Sequence, residues 1–182
     1  MTVLYEDNHL IIVNKQAGEI VQGDKTGDTP LSDIVKDWLK EKHNKPGNVY
    51  LGVVHRLDRP VSGVVLFAKT SKALPRLNKM FAEHDKVSKT YWAIVQNRPQ
   101  MPKGTLTHWL TRQEKNNTAR AYDREVPGAK KAVLDYELIA SDDRYHLLEI
   151  HLHTGRHHQI RCQLAKMGCP IIFLMKHRAP RS

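Results

Sequence analysis

A single carboxylate stands in the middle of the most informative stretch of this 182-residue chain, HRLDRPVSGVVLFAKTSKA, residues 55–73. Asp58 follows the basic pair His55-Arg56 and precedes Arg59-Pro60, a setting in which an Asp is an ordinary turn former. What comes next raises its interest. Ser62-Gly63 leads into an apolar run and then a capped helix, and rigid elements of that kind can fix a loop residue in a cleft. A carboxylate held there can act as a nucleophile or take up a proton. A rival cluster lies further on: His146, His151, His153, His157 and His158 crowd one region, with His151 and His153 on the same strand face as Glu149. Two imidazoles and a carboxylate could bind zinc. The HExxH spacing is absent, however, and Cys162 and Cys169 form no CxxC pair, so no metal is expected.

Three stretches taken together resemble a known family. HRLD followed after three residues by SG is similar to the catalytic motif of the RluA-type pseudouridine synthases, KTYWAIV (residues 89–95) to that family's Lys-x-Tyr motif, and TGRHHQIRCQLAKMGCPI (residues 154–171) to its third motif. The likeness is collinear from Val3 to Ile171. It implies a catalytic Asp58, an ion pair from Arg161 of the Gln159-Ile160-Arg161 triplet to that acid, and Tyr91 against the target base. It also implies that Arg56 helps extrude the uridine, with His55, Lys89 and Arg156 as further RNA contacts. The partner would be structured RNA, ribosomal or transfer. A non-catalytic RNA-binding protein derived from the same fold is the alternative.

The implied reaction breaks the bond from ribose to N1 of uracil, turns the base, and joins the sugar to C5 without net oxidation. No cofactor, redox or metallic, is called for. A carboxylate suits the step as a covalent nucleophile or as a proton acceptor that stabilises positive charge at the sugar. A guanidinium beside it would keep it ionised in a partly desolvated pocket. An aromatic ring under the base contributes about 1–3 kcal/mol without demanding a particular sequence.

The elements that must position these residues can be read from periodicity. In TPLSDIVKDWLKEKHN, Thr29 stands at an N-cap position, Pro30 at the first helical position, and Leu31, Ile34, Val35, Trp38 and Leu39 recur at helical spacing. A second helix is predicted from a Ser71 cap, burying Leu74, Leu77 and Phe81. A third is predicted from Gly155 to Met167, with Ile160, Leu164 and Met167 inward and Gly168 as its stop. Strands are predicted in VLY, HLIIVN, GVVLFAK, TYWAIV, TLTHWLT, AVLDYELIA and YHLLEIHLH, the last two joined by a Ser-Asp-Asp-Arg turn. Trp38, Trp92 and Trp109 fall in these periodic segments and read as packing. Consecutive strands outnumber helices, which predicts an α+β fold with a mixed, mainly antiparallel sheet flanked by a few helices.

The length fits one domain, residues 1–182, without the S4-like module that the family's relatives carry. Past Pro170-Ile171 the pattern departs: Phe173 and Leu174 stand where the family has Gly-Asp, so the C-terminal end is expected to be incomplete and to lack an edge strand. Lys176 and Ala179-Pro180-Arg181-Ser182 still follow the pattern. Charge supports a polyanionic partner, with 29 Lys+Arg against 19 Asp+Glu, a net +10, and six Lys/Arg with no acid after Glu149. Two cysteines close together, an acidic rather than basic start and no long apolar run predict a monomeric cytoplasmic protein with no membrane segment.

Overall fold

The computed structural model describes residues 1–83 and 85–177, with His177 described by its backbone alone; the terminal Ala179-Pro180-Arg181-Ser182 lies outside the described residues. The chain forms two compact units, Met1–Val87 and Ser88–Ser182.

In the first unit, β1 (Thr2–Glu6) and β2 (Leu10–Lys15) form a hairpin, and β2 pairs antiparallel with β4 (Ser62–Ala68); the two-residue β3 (Gly52–Val53) also pairs with β4. The hairpin turns at Asp7, whose Oδ1 accepts from the His9 and Leu10 N–H groups at 2.7 and 2.8 Å. Antiparallel pairing puts alternate residues on one face. Ile11, Val13 and Lys15 of β2 therefore share a buried face with Val65 and Phe67 of β4. The apolar run 63–68 alternates in burial, with Val64 and Leu66 half-buried.

Helix α1 (Leu31–Lys42) buries Leu31, Val35 and Leu39 at the predicted spacing. Its N-cap position is Pro30, with no side-chain cap. The free N–H groups of Leu31 and Ser32 donate instead to the carbonyls of Ile20 and Val21, at 2.8 and 3.0 Å, so the preceding chain does the work assigned to Thr29. Helix α2 (Ala73–Ala82) starts two residues after Ser71, and Thr70 supplies the acceptors: its Oγ1 and carbonyl both take the Ala73 N–H.

The second unit is a six-stranded sheet in the order β10-β5-β9-β8-β6-β7, antiparallel throughout. Its strands are β5 (Thr90–Val95), β6 (Lys103–Gln113), β7 (Thr118–Tyr122), β8 (Lys130–Ser141), β9 (His146–Leu152) and β10 (Ile171–His177). The β8–β9 turn forms at the expected place, on Asp142 Oδ1, which accepts from the Arg144 and Tyr145 N–H groups. Ala93, Val95, Leu134, Tyr136, Leu148 and Ile150 make one buried face, and α3 (Gln159–Lys166) seals it with Ile160 and Leu164. Truncating a side chain as enclosed as Leu164 to Ala costs about 2–5 kcal/mol. The segment after Pro170, where an incomplete end was expected, forms β10 along β5, with Leu174 packed against this core.

Helix α3 begins at Gln159, four residues later than Gly155. The intervening turn is held by the Gln159 side chain, which accepts from Thr154 Oγ1 (2.8 Å) and the Arg156 N–H (2.9 Å) and donates to the Val133 carbonyl (3.1 Å). The helix stops as predicted: Gly168 takes φ +90° and the Cys169 N–H closes on the Leu164 carbonyl at 2.8 Å.

Candidate active site

In the first unit the loop 54–61, between β3 and β4, carries His55, Arg56 and Asp58. Leu57 and Val61 are buried and act as its two apolar pegs, while Arg56 and Asp58 are exposed. The Val61 N–H closes the turn on the Asp58 carbonyl at 2.9 Å. His55 has structural work: its Nε2 accepts from the Leu66 N–H at 3.0 Å, and its ring stacks on Phe81 with centroids 4.7 Å apart.

The strongest hold on this loop comes from Lys15, which is fully buried. Its ammonium donates to the carbonyls of Asp58 (3.2 Å), Arg59 (3.1 Å), Val61 (2.6 Å) and its own neighbour Gln16 (3.1 Å). Burial depresses its pKa, and the negative charges of Glu19 and Asp58 oppose that fall. Opposite Lys15 in the ladder stands Gly63 at φ +121°, a backbone conformation for which glycine is the natural residue. A second tie comes from Arg59, whose guanidinium reaches Asp28 (2.7 Å), Thr26 (2.9 Å), Asp24 (3.3 Å) and the Gly18 carbonyl (3.3 Å). The Gly18 N–H in turn donates to the Arg59 carbonyl at 2.8 Å.

In the second unit Tyr91 lies half-buried on β5, directly across from Lys176 of β10, whose Nζ is 5.9 Å from the ring centroid. Lys176 is 9% exposed, and its pKa is lowered to about 7, first by burial and then by the charge of Lys89. Lys89, whose own pKa burial lowers, stands just before β5, with its Nζ 3.5 Å from where a Cβ on Gly155 would lie. Arg156 anchors the turn ahead of α3 by donating from Nε to the Lys131 carbonyl at 2.9 Å, and Arg161 is exposed on α3.

The structure thus gathers His55, Arg56 and Asp58 on one fixed loop, Lys89 and Tyr91 at the start of β5, and Arg156 and Arg161 around α3. Sequence reasoning missed Lys15 and the tie made by Arg59, and it gave Lys176 no role beyond its place in the family's pattern. The first had a legible signal, a lysine in register with Ile11 and Val13 on the apolar face of a strand. The histidine-rich strand resolves into separate pairs, His151 with Glu149 at 3.1 Å and His153 with Asp135 at 2.6 Å. Among the described residues no group of three His, Cys, Asp or Glu side chains could hold a metal ion, and no helix is long and apolar enough to cross a membrane.

Comparison with known proteins places the chain in a family. The family described as RNA pseudouridylate synthase matches residues 9–166, and this chain belongs to that family, in its RluA-type branch. It is 33% identical over 181 residues to an RNA pseudouridine synthase of Bacillus subtilis, YhcT, covering 94% of this chain and 55% of the relative. It is 30% identical over 183 residues to tRNA pseudouridine synthase C of Vibrio cholerae, covering 94% and 72%. Among solved structures, human RNA Pseudouridylate Synthase Domain Containing 4 superposes with a TM-score of 0.79 at 25% identity, covering 94% of this chain and 66% of that one. The chain spans about half the length of the first curated relatives it matches.

Proposed function

We propose that this chain is the catalytic part of an RNA pseudouridine synthase that isomerises uridine to pseudouridine in structured RNA. The carboxylate of Asp58 acts on the target nucleotide, as nucleophile or as base, while the N1–C1′ bond breaks and the C5–C1′ bond forms. The proton displaced from C5 leaves to solvent and N1 gains one, so atoms and oxidation state balance without a cofactor. Arg161 holds the acid ionised, Tyr91 lies against the base and Arg56 aids extrusion. His55, Lys89 and Arg156 serve RNA binding. His55 does so while its Nε2 accepts the Leu66 N–H and so also shapes the loop. Relatives named for the ribosomal large subunit and for tRNA support RNA as the substrate class. A monomer acting in the cytoplasm completes the proposal.

The observation that carries the reading is the mounting of Asp58, an exposed carboxylate on a loop whose backbone is gripped from below by a fully buried lysine. Tritium release from RNA labelled at uridine C5 tests it. The intact protein should release tritium with or without chelator, and Asp58→Ala should release none. Turnover by Asp58→Ala would remove that residue from the mechanism. RNA binding by both proteins with no turnover by either would make the chain a binding module.

A further inference from the structure

We infer that the groove between β7 and α3 is a binding site for the RNA sugar–phosphate backbone, an inference that rests on the reading of this chain as one that acts on RNA. The groove encloses about 390 Å3 and lies entirely within the second unit. Helix α3 divides cleanly along its length. Ile160, Gln163 and Leu164 face the core, while His158, Arg161, Cys162, Ala165 and Lys166 recur at i, i+3, i+4, i+7 and i+8 and line the groove. The two walls are joined where Cys162 Sγ donates to the Ala119 carbonyl at 3.2 Å.

The chemistry of the lining selects a linear polyanion. At about 1.5 Å per residue, Arg161 and Lys166 lie roughly 7.5 Å apart along the axis of α3, a row of charge and not a point. Arg120 of β7 adds a guanidinium from the opposite wall, propped 5.2 Å from the centre of the Tyr122 ring. Among the described residues neither Arg120 nor Arg161 shares an ion pair with a carboxylate of the second unit, while Lys166 meets Asp123 at 3.2 Å. Ala119, Ala121 and Ala165 are small enough to admit a backbone between the walls, and Asn117 and Thr118 offer hydrogen bonds at the mouth. Arg161 is the residue this groove shares with the proposed catalytic set; Arg120 and Lys166 belong to the groove alone.

The test is a fluorescence titration of the full chain with a labelled uridine-containing stem-loop RNA across a salt series. Both Arg120 and Lys166 are exposed, so the double variant Arg120→Gln/Lys166→Gln keeps its fold, checked by circular dichroism. It should bind at least tenfold more weakly, and the slope of log K against log salt should shrink by about 0.7–0.9 for each phosphate that is no longer neutralised. The charge-keeping Arg120→Lys/Lys166→Arg should restore both. Unchanged affinity and slope in the Gln variant would overturn the assignment, as would failure of the charge-keeping pair to restore them. Unchanged RNA binding with lost binding of polyglutamate would also overturn it and give the groove to an acidic protein segment. Asp58→Ala, titrated in parallel, should keep the full slope; turnover by that variant would sink the catalytic reading and leave the groove standing.

Discussion

Lys15 shows what a buried charge can do when main-chain oxygens take its hydrogen bonds. An ammonium taken out of water is costly unless its donors are satisfied, and here carbonyls of the Asp58 loop do that. Lys15→Met would leave those acceptors unpaired, at about 1–3 kcal/mol for each one that water cannot reach. Urea melts should show a loss of that order. Tritium release should show kcat reduced at least tenfold with KM for RNA little changed, because the lysine positions the acid and does not touch substrate. Lys176 behaves differently. Its pKa of about 7 lies below the ordinary lysine value of 10.5, so between those limits the unfolded chain binds the extra proton and stability rises with pH. Unfolding free energy measured from pH 7 to 10 should climb by up to about 4 kcal/mol, and Lys176→Met should flatten the climb.

At the scale of elements, α1 is tied to β1 through a single acid. Glu6, with a side chain 8% exposed, is met by Lys42 at 2.5 Å, Lys69 at 2.7 Å and His43 at 2.7 Å. Burial alone would raise its pKa, but hydrogen bonds from Lys42, Lys69 and His43 outweigh it and bring the value to about 2. The native state therefore gains stability from this group above pH 4.5 and loses it as pH falls toward 2, about 3 kcal/mol in all. Glu6→Gln should destabilise at neutral pH by a comparable amount, and its thermal midpoint should vary less than the wild type's across that acid range. The same scale explains which elements the sequence made legible. The hairpin at Asp7, the Asp142 turn, the apolar stripe of α1 and the Gly168 stop are local patterns. The start of α3 was misjudged because the Gln159 side chain, not helical backbone, satisfies the turn from Thr154. β7 and β10 escaped notice because their register is set by partner strands: Phe173 and Leu174 break the family's pattern yet pair with Ile94 and Ala93.

Across the whole molecule, the residues of the proposed site divide by how far apart in sequence their reasons lie. Asp58, Tyr91 and Arg161 sit in short strings that can be recognised without knowing any pairing. Lys15 and Lys176 acquire their roles only from partners met across the fold, 43 residues away in the case of Lys15 and Asp58, so a local pattern can flag them without saying what they hold. The net charge of +10 told of a polyanionic partner but not where it would lie; α3 answers that by turning its basic residues to one side and its apolar ones to the other. Because Lys15 bonds to the peptide oxygens of residues 58, 59 and 61, those bonds do not depend on the side chains there, although the charge of Asp58 still reaches it. The proposed reactive group can be exchanged with those bonds kept, so Asp58→Ala should crystallise with an unaltered loop, and any loss of turnover would report chemistry rather than shape.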